Sequence, residues 1–274
     1  MAVDRSRRTP ERMITQNAYL RPHGIFTFSI PALAGRFDDG TPYVTCPAAG
    51  VCAAVCYART GTFRFPKVLA KHQRNLLRIK NDLPQWKDDM LAELAAPRLR
   101  GGKYLRVHDA GDFFSDLYLA AWLDIARATP DVTFYSYTRE VARFKRLVEP
   151  DPPANWLWIY SYGGKEDNLI EPGDRVADVF PSEEAITTAG HHSNTASDLL
   201  AVLGPSPVGM TQNNHPHLRR RIGERTFREW QAQRSAQRPS PGRLGARPHR
   251  LPDAQPRLPA HPELDPTAER SDDR

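Results

Sequence analysis

Apolar positions along the chain fall into short runs of period two, separated by longer stretches with helical spacing. Gly24-Ile25-Phe26-Thr27-Phe28-Ser29-Ile30 alternates and is rich in aromatic and β-branched side chains, which predicts a first strand. A loop with Gly35, Asp38-Asp39-Gly40 and Pro42 leads from it into a segment with three cysteines. Val68, Leu69, Leu76, Leu77 and Ile79 then predict a helix over residues 67–79. Leu83-Pro84 opens a second helix with Trp86, Met90, Leu91 and Leu94 on one face, and Pro97 and Gly101-Gly102 end it.

From there the rhythm is regular. Tyr104-Leu105-Arg106-Val107 reads as a strand, and residues 115–128 as a helix capped by Ser115, with Leu119, Trp122, Leu123 and Ala126 on one stripe. Residues 132–137 form the next strand and 140–148 the next helix. Strands at 156–160 and 175–180 follow, then a short helix from Ser182 through Ile186 and a last strand at 207–211. Strands alternating with helices of this length predict βα units and a parallel sheet. The expected fold class is α/β, a partial or complete βα barrel whose parallel sheet is flanked by helices. An open doubly wound sheet is the competing architecture.

The two ends have a different character. Residues 1–20 are basic and read as a poorly ordered lead-in to a domain over 21–234. Residues 235–274 contain eight prolines and no Val, Ile, Met, Phe, Trp, Tyr or Cys. Such a segment buries too little apolar surface to offset its ordering entropy, so a disordered tail is expected.

Of the 274 residues, 40% are hydrophobic and 26% charged, as in soluble globular proteins. No apolar run approaches the roughly 20 residues of a membrane span, and the charged N-terminus has no apolar signal core. A cytoplasmic address is expected. The net charge of +6 can attract nucleic acid, and the densest basic run is Arg219-Arg220-Arg221. Arg-rich usage in a GC-rich genome would also produce that charge.

All three cysteines lie between positions 46 and 56, spaced Cys46-x5-Cys52-x3-Cys56. An odd number of cysteines in a reducing compartment argues against a disulfide framework and for a metal centre. Thiolates select zinc or iron–sulfur clusters. Zinc would need a fourth protein ligand, for which His23, His72 and His108 are candidates, none at short finger spacing from a cysteine. A [4Fe–4S] cluster on three thiolates leaves one iron open, and the small residues between the cysteines leave room for it. The loop follows the first strand of a βα series, where such folds build active sites. In that respect the chain resembles the radical S-adenosylmethionine enzymes, whose three cysteines follow the first barrel strand. The resemblance implies an open iron chelated by S-adenosylmethionine. Their usual spacing is Cys-x3-Cys-x2-Cys, which this chain does not keep.

A second resemblance rests on Leu105-Arg106-Val107-His108-Asp109-Ala110-Gly111-Asp112-Phe113-Phe114-Ser115, Trp122, Phe134-Tyr135-Ser136-Tyr137-Thr138 and Cys56-Tyr57-Ala58. Over roughly residues 26–162 the chain is similar to the gene product 88 family of phage and plasmid proteins. Some members of that family carry further cysteines toward the C-terminus. This chain has none after Cys56.

His108, Asp109 and Asp112 gather at the end of a predicted strand, where they could bind a cofactor or move protons. Asp112 or Ser115 could instead cap the next helix. Tyr137 and Arg139 at the next strand end are candidate cofactor-binding residues, Arg139 for a carboxylate or phosphate. Gly163-Gly164 reads as a turn, and His191, His192, His215 and His217 as surface histidines. The expected protein is a three-cysteine [4Fe–4S] protein resembling radical S-adenosylmethionine enzymes, and the resemblance implies S-adenosylmethionine as its second cofactor. The rival is a non-enzymatic binding protein with a structural zinc or cluster and a nucleic-acid face at Arg219, Arg220 and Arg221.

Overall fold

The computed structural model describes residues 11–99, 103–212 and 215–237. Strand β1 (Ile25–Phe28) leads into a hairpin of β2 (Ala34–Arg36) and β3 (Pro42–Val44), and then into the cysteine segment. Helices α1 (Pro66–Asn81) and α2 (Leu83–Leu94) follow. The alternating part is β4 (Lys103–Val107), α3 (Asp116–Ala128), β5 (Val132–Thr138), α4 (Val141–Leu147), β6 (Trp156–Ser161) and β7 (Val176–Phe180). It continues with α5 (Glu183–Thr188), β8 (His192–Ser193), α6 (Leu200–Leu203), β9 (Val208–Thr211), α7 (Pro216–Ile222) and α8 (Phe227–Ala236).

Seven strands form one sheet in the order β1-β4-β5-β6-β7-β9-β8, and every pairing in it is parallel. The order runs from one edge to the other, as in an open section of a βα barrel. A doubly wound sheet would instead start in the middle and wind outward, so that alternative falls. Strand periodicity decides what each face carries. Phe26, Phe28, Leu105, Val107, Phe134 and Trp156 point to one face and meet Ile79, Trp86, Met90, Trp122 and Phe144 of α1–α4. Trp122 stands edge-on to Phe28 and to Trp86, each with ring centroids 5.2 Å apart. The other face carries Ile25, Tyr135, Ile159, Ala177 and Val208 against Leu20, Ala201 and Val202.

Helix starts follow their caps. Ser115 accepts from the Tyr118 N–H, Asp82 from Gln85 and Ser182 from Ala185. The lead-in departs from expectation over residues 11–20. Met13 and Ile14 are buried in the main core, and Thr15 exchanges backbone hydrogen bonds of 2.8 and 2.7 Å with Thr27. Apolar side chains with a sheet edge to pair against order this stretch despite its polar neighbours. At the other end α8 extends to Ala236, past the expected start of the tail at 235. Residues 1–10 and 238–274 lie outside the described residues. Among the described residues no helix is long and apolar enough to cross a membrane.

Candidate metal centre

The cysteine loop lies across the C-terminal ends of the strands and is pinned by partners distant in sequence. The Gly163 carbonyl accepts from Gly50 N (3.1 Å) and Cys52 N (3.2 Å). Ala48 N donates to Glu140 Oε1 (2.8 Å) and Val51 N to Gln231 Oε1 (2.9 Å). Lys165 donates its backbone N–H to Ala48 O (2.7 Å) and its Nζ to Pro47 O (2.6 Å). Gly163-Gly164 is therefore a turn that receives this loop. A Cβ on Gly50 would meet the backbone at Gly163 O (2.7 Å) and Gly164 C (2.8 Å), so only glycine lets the two segments close here. Val51 and Val55, in the 3-10 turn Val51–Val55, pack under Leu218, Ile222 and Phe227 of α7 and α8.

This arrangement leaves one pocket of about 270 Å³ walled by Cys46, Cys52 and Cys56. The same wall includes His108, Asp109, Asp112, Tyr137 and Arg139, so the cysteines and the expected strand-end residues border one cavity, with Arg106 beside them. Ser161, Val179 and Met210 from later strands complete it. Burial pushes all three thiols up from the ordinary 9.0; the Arg139 charge opposes this at Cys52 and Cys56, as a backbone N–H from Leu33 does at Cys46. Cys46 Sγ accepts that N–H at 3.2 Å. The thiols therefore stay protonated in the metal-free chain, and a metal must displace their protons.

The strand-end residues divide by role. Asp112 is buried and saturated: Oδ1 accepts from Thr138 Oγ1 (2.8 Å) and Phe113 N (2.9 Å), Oδ2 from Arg139 N (3.0 Å). Its own N–H donates to Thr45 O (3.0 Å), so it ties the cysteine loop to the end of β5. Asp109 sits at the mouth, where Tyr57 Oη donates to its carbonyl (2.6 Å) and Arg106 Nη2 lies 3.5 Å from its Oδ1. Arg139 holds Tyr162 O at 3.2 Å, while its Nε is buried with no hydrogen-bond partner. Tyr137 is anchored from outside the pocket wall: its hydroxyl donates to Asp198 Oδ1 (2.9 Å), and Tyr135 donates to Asp198 Oδ2 (2.6 Å). Arg106 Nη1 pairs with the same carboxylate at 3.1 Å. Asp198, Glu140 and Gln231 escaped sequence reasoning because each lies in a polar stretch and meets the site only through the fold.

His108 is buried with its ring edge-on to Phe113 and its Nε2 hydrogen-bonded to Tyr118 Oη at 3.2 Å. Burial lowers its pKa from the ordinary 6.5 to about 3, so at pH 7 it is the neutral imidazole, with one N–H and one acceptor nitrogen. The folded state binds that proton less readily than the unfolded state, so stability falls as pH drops below about 6.5. Between pH 7 and pH 5 this one group should cost about 2 kcal/mol. His108→Asn tolerates the backbone φ of +69° and should flatten the pH dependence by that amount in urea titrations. An unchanged slope would mean that the imidazole takes up its proton as readily in the fold as in the unfolded chain.

Among the described residues no three His, Cys, Asp or Glu side chains converge tightly enough to grip a single metal ion. A lone zinc draws its thiolates to one point, about 2.3 Å from each sulfur. A cubane cluster instead takes each thiolate on a separate iron corner. Three half-buried thiols around a cavity, with Ala32, Ala49 and Ala58 leaving space, fit the second donor arrangement. His72, with its ring 6.0 Å from Phe63, and His23, at the N-terminal edge of the sheet, do not wall the pocket. Arg221 donates to Ala54 O (3.0 Å) and so braces the cysteine turn, whereas Arg219 and Arg220 are exposed on α7.

A family model described as gene product 88 matches residues 4–238. The chain is 33% identical over 144 residues to the Gene 88 protein of Mycobacterium phage L5, covering 48% of this chain and 58% of that protein. It is 31% identical over 144 residues to the Gene 88 protein of Mycobacterium phage D29, with the same coverage. The chain thus spans 58% of the length of the curated relatives it matches. No solved structure matches.

Proposed function

We propose that this chain, which belongs to the gene product 88 family, is an iron–sulfur protein that holds a [4Fe–4S] cluster on Cys46, Cys52 and Cys56 and binds S-adenosylmethionine beside it, in the manner of radical S-adenosylmethionine enzymes. The observation that carries the reading is the meeting of the chain's three thiols in the wall of one pocket at the C-terminal end of a parallel βα sheet. A cluster bound there supplies an electron for cleavage of a bound sulfonium. The chain's own residues prepare the place. Arg139, buried beside Cys52 and Asp112, offsets thiolate charge and presents a guanidinium suited to a carboxylate. Asp109 and Tyr57 at the mouth offer an acceptor and a hydroxyl to amine or ribose groups. Asp112 and neutral His108 hold the strand ends in position. A cytoplasmic location, where thiols stay reduced, suits such a centre.

A second reading, a binding protein with a structural metal, draws on exposed Arg219 and Arg220 on α7, beside the cysteine turn. One experiment separates them. S-adenosylmethionine added to the dithionite-reduced protein should perturb its electron paramagnetic resonance spectrum and release methionine and 5′-deoxyadenosine. An unmoved spectrum at millimolar cofactor, with the cluster demonstrably reduced, leaves the metal as scaffold.

A further inference from the structure

We propose that a cleft at the opposite end of the sheet is a second binding site, one that takes the phosphate backbone of a nucleic acid. The cleft encloses about 610 Å³ where Gly24 precedes β1 and Lys103 opens β4, so it lies at the N-terminal ends of strands whose C-terminal ends carry the cysteines. Five cations line it: Arg12, Arg21, Lys71, Arg98 and Lys103, brought from five separate segments. Among the described residues no carboxylate does.

The charges are largely uncompensated. Of the five, Arg98 alone is ion-paired among the described residues, with Glu93. That carboxylate is already engaged by Met13 N (2.7 Å) and Ile14 N (3.1 Å), and the Arg98 guanidinium lies over the Phe26 ring at 5.5 Å. Arg98 therefore belongs to the scaffold, and Arg12, Arg21, Lys71 and Lys103 remain open. Lys71 is half-buried on α1, and burial lowers its pKa from the ordinary 10.5. Glu93 and Glu11, which pair with Arg98 and Arg74, oppose that shift only in part, and a bound anion would offset the remaining cost of desolvation.

Density of charge selects the partner. Duplex DNA presents one negative charge per roughly 1.7 Å of axis, about twice what even a fully acidic extended peptide offers. Four open cations around one cleft match the denser polymer. Phe26 is buried beneath the cleft and offers no stacking platform, so the contact is to backbone and carries no base readout. None of this depends on the cysteines.

Fluorescence anisotropy with a short labelled DNA duplex over a salt series tests the site. Arg21→Gln/Lys71→Gln/Lys103→Gln should weaken binding about tenfold or more and reduce the salt slope by about three. Metal content and melting temperature serve as controls and should hold. Lys103→Glu alone, a second and milder variant, should weaken binding in the same direction. Arg219→Gln/Arg220→Gln should bind like the unmodified protein. The site is wrong if the unmodified chain fails to bind the duplex, or if both cleft variants bind as tightly as it does. It is equally wrong if the α7 variant loses as much, or if polyglutamate competes as well as DNA at equal charge.

Discussion

Anaerobic reconstitution of the unmodified chain with iron and sulfide should give a brown protein. Cys46→Ala, Cys52→Ala and Cys56→Ala should each stay colourless. Each thiolate is the sole protein ligand to its own iron in the proposed centre, so deleting one leaves the cluster two protein anchors. Such clusters are held by thiolates, and the chain has no cysteine besides these three to replace the one lost. The fold should survive, because the loop is held by Gly163, Glu140, Lys165 and Gln231 and not by sulfur. Cys46→Ala should also lower the melting temperature somewhat, since Leu33 N loses its acceptor. A variant that keeps the full charge-transfer absorption would remove that cysteine from the ligand set.

Asp112→Ala should be among the most destabilising single changes in the domain, at roughly 3–5 kcal/mol. It strands the buried Thr138 hydroxyl and Phe113 N–H and the part-buried Arg139 N–H, and removes a carboxylate that balances the Arg139 guanidinium. Burial raises the Asp112 pKa, and these same donors pull it back, so the group is a satisfied cross-link under tension between solvation and hydrogen bonding. Asp112→Asn keeps one acceptor oxygen and should lose about half as much. Urea titration measures both. A loss below about 1 kcal/mol for the alanine variant, together with a lost cofactor response, would instead make Asp112 a ligand-binding group.

The contrast between Asp112 and Asp198 marks what the sequence could convey. The βα rhythm was legible because alternating and helical periods follow one another with clear caps at Asp82, Ser115 and Ser182. The three-residue strands β2 and β3 are too short to carry a period, and α8 has only Phe227 and Trp230 as large apolar residues. Clustering of His108, Asp109 and Asp112 marked the right strand end, but not the division of labour within it. The turn of chain at Gly111 sends Asp112 inward to bind backbone and leaves Asp109 at the mouth. Asp198 reaches Arg106 across 92 positions and Tyr137 across 61, and Glu140 reaches Ala48 across 92. Pairings of that range leave no local pattern, since only the sheet order brings their partners together.

The proposed centre depends most directly on what the chain binds when it is purified without oxygen. Iron, acid-labile sulfide and zinc should be assayed on one anaerobic preparation of the full-length protein. A [4Fe–4S] centre predicts about four iron and four sulfide per chain and little zinc. One zinc per chain without sulfide would contradict it and leave Cys46, Cys52 and Cys56 as a structural site.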